Sequence, residues 1–119
     1  MMIYGRALPF TPWHRLEVRN AVRVAEFHKK ITRVEARSQL VQLDTDLRQA
    51  VILVHTPIDW TDTLRRADGL SRDHNALIGC SSADLFHVAT ALELRCDTFY
   101  TFDARQEKLA TAAGLKTLS

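Results

Sequence analysis

SSADLFHVATALELRCDTFYTFDARQEKL, residues Ser81 to Leu109, carries the fold in its order of signals. A serine and an aspartate open an apolar run of helical length, which predicts a helix from about Ser82 to Leu94. Thr98–Phe102 is short, aromatic and β-branched, and reads as a strand. Asp103-Ala-Arg-Gln then matches a capping-box start for a helix over Ala104–Ala113. Gly114 closes that helix, and Leu115–Leu118 makes a last short strand. Helix, strand, helix and strand at this spacing imply parallel pairing through right-handed crossovers, so the class is α/β.

Upstream, Ala7–Thr11 predicts a short strand, and Thr11-Pro12 a helix start. Threonine can cap, and proline at the first helical position loses an N–H that would have been unpaired anyway. Leu16, Ala21, Val24, Phe27 and Ile31 recur at helical spacing through about residue 30. A second helix, Arg33–Ala50, carries Val34, Leu40, Val41 and Leu47. Ala50–His55 reads as a strand or as a helix end, closed in either case by Thr56-Pro57. Thr61–Leu77 looks helical with an interruption near Gly69.

The 119 residues are 46% hydrophobic and 25% charged, with no repeat or linker, which implies a single domain over residues 1–119. A net charge of +2, with no run of five like charges, does not identify a nucleic-acid partner by itself. Cys80 and Cys96 bracket the predicted helix. A continuous helix would hold them ~20 Å apart, beyond the ~7 Å reach of a disulfide. They are therefore expected as free thiols, in keeping with a cytoplasmic protein. No stretch approaches the ~18 apolar residues of a membrane span, and Met1–Tyr4 is too short for a signal peptide.

Two acids stand out. Asp84 falls in the first turn of its helix, where the dipole favours a negative charge by about 0.3–1 kcal/mol. Asp103 directly follows a strand, and in parallel sheets ligand sites lie outside the carboxyl ends of the strands. Glu17 comes a few residues past the Ala7–Thr11 strand. Locally each is an ordinary cap or surface acid. Jointly, three converging carboxylates would repel one another, and a hard divalent cation would relieve that repulsion. His87 and Asn20 share helix faces with Asp84 and Glu17; a plain polar role suits both. Trp13 and Trp60 read as packing residues, and Arg19, Arg23 and Arg105 as solvated ones.

SADLFHVATALEL (82–94) followed by TFYTFDARQEKLATAAGL (98–115) resembles the C-terminal half of a PIN domain, the nuclease fold of VapC-type toxins. LPFTPWHRLEVRNAV (8–22) is similar to that family's second strand and acidic helix. The resemblance implies a three-layer fold with a short parallel sheet flanked by helices. It implies RNA cleavage assisted by Mg²⁺ or Mn²⁺, with Glu17, Asp84 and Asp103 as ligands and Thr101 orienting them. Its further implications are a toxin–antitoxin pairing with an antitoxin protein and a homodimer. The family's opening strand and its Asp have no counterpart, so the resemblance also implies an N-terminally shortened chain with a weaker three-acid site. Either Met1–Tyr4 or a second copy would then fill the vacant sheet position, or the start is misassigned and the native protein is longer. A catalytically impaired remnant acting as a binding module is the alternative.

Overall fold

A computed structural model describes residues 2–3, 8–50 and 53–118. In chain order the elements are β1 (Met2–Ile3), β2 (Leu8–Phe10), α1 (Pro12–Phe27), α2 (Arg33–Gln49), β3 (Leu53–His55), α3 (Trp60–Ile78), α4 (Ser82–Glu93), β4 (Thr98–Tyr100), α5 (Ala104–Ala112) and β5 (Lys116–Leu118). The α/β class expected from the sequence is the one adopted, with short parallel strands and five helices among the described residues. The chain divides into two compact units, Arg6–Pro57 on one hand and Met1–Gly5 with Ile58–Ser119 on the other.

In the first of these units β2 pairs in parallel with β3, Pro9 opposite Val54. Thr11 caps α1 by accepting the His14 N–H, while His14 Nδ1 accepts the Thr11 N–H. This capping box uses an imidazole where a glutamate is usual. Thr32 and Glu35 form the corresponding box at α2. The apolar stripe read on α1 is not a core face: no residue of α1 is buried, and Leu16, Val24 and Phe27 are exposed. On α2 only Ala36 and Leu47 are buried, while Val34 and Val41 face solvent. Ala50 ends α2 in the left-handed conformation at φ 52°. Alanine is a poor signal for that turn, which is why the helix end and β3 were hard to separate in the sequence. Val51 and Ile52 of that segment lie outside the described residues.

The other unit holds the main core. Val88, Ala89 and Ala91 of α4, Phe99 of β4, and Leu109 and Ala110 of α5 are essentially inaccessible and pack in one cluster with Leu70 and Leu115. Small side chains at Ala89 and Ala91 let α4 pack closely against α3 and α5. The unit's sheet runs β1-β4-β5. β4 and β5 are parallel, as expected, with Phe99 opposite Thr117. Met2–Ile3 does fold back onto β4, but antiparallel, Met2 opposite Phe99. The strand Thr98–Phe102 shortens to Thr98–Tyr100, with Phe102 turned out to solvent. Helix α3 is not interrupted: it runs unbroken through Gly69. A Cβ there would meet only the Arg72 guanidinium at 3.8 Å, so this glycine marks neither a turn nor a close approach. Gly79, at φ 75°, ends the helix.

Candidate active site

Asp84 and Asp103 both stand at helix starts, and both do the capping work their positions suggest. Asp84 is the third residue of α4; Ser81 Oγ accepts its N–H at 3.2 Å, and Asp84 Oδ2 accepts the Ser81 N–H at 3.4 Å. Asp103 precedes α5, and its Oδ1 accepts the N–H groups of Arg105 at 2.9 Å and Gln106 at 3.0 Å. Each bond satisfies a backbone donor that the helix cannot.

The two helix starts are also joined. Gln106 donates from Nε2 to Asp84 Oδ1 at 3.3 Å, while its backbone N–H is one of those capped by Asp103. Thr101, buried at the end of β4, donates its hydroxyl to Gln106 Oε1 at 2.7 Å and accepts the Asp103 N–H at 3.0 Å. Its own N–H reaches the Leu118 carbonyl at 3.0 Å, which anchors this corner to β5. Asp84, Thr101 and Asp103 therefore share one hydrogen-bonded cluster at the carboxyl end of β4, where ligand sites of parallel sheets lie.

Electrostatics places the same acids around a thiol. Burial pushes the Cys80 thiol above its ordinary pKa, and the negative charges of Asp84 and then Asp103 push it further, with Arg105 opposing. Its Sγ–H donates to the Arg105 carbonyl at 3.4 Å. Asn75 holds the backbone of Cys80 from both sides, accepting its N–H at 2.6 Å and donating to its carbonyl at 3.0 Å. Such a thiol stays protonated and unreactive. Cys96 is also a buried free thiol, its pKa raised by burial and then by Asp97.

Glu17 lies half-buried on α1, in the unit Arg6–Pro57. Among the described residues no group of three or more His, Cys, Asp or Glu is gathered as for a metal ion. His87 is half-buried on α4, Asn20 is exposed, and Arg23 and Arg105 face solvent. Trp60 stacks on Phe86 at 5.4 Å between ring centroids, a packing role of the kind expected. Gln106 is the residue that the sequence did not single out. Its place three residues after Asp103 suggested only a local capping box, and that box does not form because the side chain turns to Asp84 and Thr101.

Among the described residues, no helix is long and apolar enough to cross a membrane. No curated protein and no solved structure matches the chain. A family model, that of the PIN domain, matches residues 17–112 and so takes in all four motif residues and runs through both compact units. That family consists in general of divalent-metal-dependent nucleases acting on RNA. With most of its length matched, and with an aspartate cluster at the carboxyl end of β4, this chain belongs to the PIN-domain family.

Proposed function

We propose that the chain is a Mg²⁺- or Mn²⁺-dependent endoribonuclease of the VapC toxin type, with Asp84 and Asp103 as its central metal-holding pair. The observation that carries this reading is the shared cluster, in which one residue, Gln106, bonds both acids, Asp84 through its side-chain amide and Asp103 through its backbone N–H. The donor set fits a hard cation. Its members are carboxylates, and Mg²⁺ is commonly held by one or two of these while keeping water and substrate phosphate in its other positions. Capping does not compete with that use at Asp103, because both helix N–H bonds end on Oδ1 and leave Oδ2 outside the cap. Glu17 joins the set by its match to the family's helical glutamate. When bound, the ion supplies positive charge to the phosphodiester and makes water a stronger nucleophile near neutral pH. The chain's own residues prepare for this: Asp84 and Asp103 concentrate negative charge, and Thr101 fixes the loop between β4 and α5.

The two units are proposed to act as one domain, since the family match runs through both. The toxin role, with an antitoxin protein partner, rests on the likeness of residues 82–94 and 98–115 to VapC-type toxins. A homodimer is proposed as well. Exposed apolar side chains on α1 and α2, among them Leu16, Phe27, Val34 and Val41, offer surface for such partners.

The test is cleavage of a mixed-sequence RNA by purified protein, with Mg²⁺ or Mn²⁺ and with chelator. Cleavage that requires the ion and is lost in Asp84→Asn supports the reading. Activity that survives chelation, or survives in Asp84→Asn, rejects it, and a metal-binding protein that never cleaves points to the binding-module alternative.

A further inference from the structure

We propose that Gln106 is a positioning residue of the acidic site, a strut that fixes the Asp84 carboxylate for metal binding; this rests on the metal-site reading above. The argument begins with a helix start that departs from its local pattern. Asp103-Ala-Arg-Gln is a capping-box sequence, in which the Gln side chain would reach back to the Asp103 N–H. The equivalent boxes do form at Thr11, Thr32 and Ser81. At Asp103 the backbone N–H goes to Thr101 Oγ1 instead, which releases the Gln106 side chain from the cap.

What Gln106 does with that freedom is directional. The Asp103 N–H donates to Thr101 Oγ1 at 3.0 Å, the Thr101 hydroxyl donates to Gln106 Oε1 at 2.7 Å, and Gln106 Nε2 donates to Asp84 Oδ1 at 3.3 Å. Each link fixes the polarity of the next. The hydroxyl has given its proton to Oε1 and uses a lone pair for the amide, so the Gln106 carboxamide has one orientation and presents N–H to the carboxylate. Gln106 and Asp84 stand 22 residues apart in the chain, so this side-chain bond ties α4 to α5 at the acidic corner. Glutamate at the same position would accept from Thr101 but set a second negative charge against Asp84. Groups that orient ligating carboxylates in this way typically change metal affinity by 10–100-fold when removed.

The experiment compares wild type with Gln106→Met and Gln106→Leu. Both keep much of the side-chain volume and lose the amide. Mn²⁺ affinity is read from the free-ion EPR signal, RNA cleavage from steady-state kinetics, folding from thermal melts, and Asp84 from its carboxyl ¹³C resonance in metal-free protein. The expected result is a shifted Asp84 resonance, Mn²⁺ binding weaker by about tenfold, and a fall in kcat with KM for RNA nearly unchanged. Unchanged Mn²⁺ affinity and kcat in both variants overturn the positioning role, whether or not the melting temperature drops. Wild-type protein that neither binds Mn²⁺ nor cuts RNA overturns the metal-site reading itself. In that case the metal-free Asp84 resonance still judges the strut: no shift in Gln106→Met rejects it.

Discussion

The N-cap of α5 uses one oxygen of Asp103 for two backbone N–H groups, so the charge of this residue and its capping ability can be separated by substitution. Asparagine caps about as well as aspartate, whereas alanine costs about 1 kcal/mol at such a position. Asp103→Asn is therefore expected to melt close to wild type while losing ion-dependent cleavage. Loss of several kcal/mol of charge stabilisation corresponds to a rate lower by at least about a hundredfold. Asp103→Ala should lose both the activity and roughly 1 kcal/mol of stability in urea unfolding. Equal cleavage by Asp103→Asn and wild type would leave Asp103 as a cap and nothing more. At this scale the sequence was readable where a residue type has few uses: two acids at helix starts and a hydroxyl beside one of them. Gln106 was hidden because a local bond and a long-range one call for the same residue, and only the diversion of the Asp103 N–H to Thr101 decides between them.

Helix boundaries follow the same logic. Starts at Thr11-Pro12, Ser81 and Asp103 were legible because side chains that cap are few and chemically distinct. Ends were legible at Gly114 and obscure at Ala50, where a non-glycine residue takes positive φ. Gly69 misled in the opposite sense, since a glycine inside a helix carries no turn unless its backbone needs one. Its half-buried position has room for a methyl group, with the flexible Arg72 end as the nearest neighbour at 3.8 Å. Gly69→Ala should stabilise the protein by about 0.5–1 kcal/mol, through helix propensity and lower unfolded-state entropy. A rise in the urea midpoint at constant slope would confirm it, and a fall would show strain in α3. The cap of α2 gives a pH dependence. The Thr32 N–H and hydroxyl hold the Glu35 carboxyl below its ordinary pKa. With the folded value depressed, the stabilisation is present above the unfolded pKa of about 4.3 and disappears as pH falls through the lower folded value. Far-UV circular dichroism on acidification should show a step in this range that Glu35→Gln flattens.

At the scale of the whole molecule, the chain divides into two compact units, and the family match, over residues 17–112, includes residues of each. Periodicity could not foretell this division. Apolar spacing on α1 predicts a helix whether or not its stripe is covered, and here Leu16, Val24 and Phe27 remain exposed. The antiparallel addition of Met2–Ile3 to β4 was equally beyond pattern reading, because two residues carry no alternation. The proposed function assigns Glu17 and Asp84 to one ion, and a double-mutant cycle tests that assignment by energetics. Glu17→Gln, Asp84→Asn and the pair are compared for kcat/KM on one RNA and for Mn²⁺ affinity. Acids that act independently give losses that multiply, whereas acids that hold one ion give a double variant scarcely worse than the poorer single, because the first loss already removes what the second supported. Strong non-additivity in both readouts is the expected outcome. Losses that simply multiply would assign Glu17 to another role on α1 and leave Asp84 and Asp103 as a two-carboxylate site.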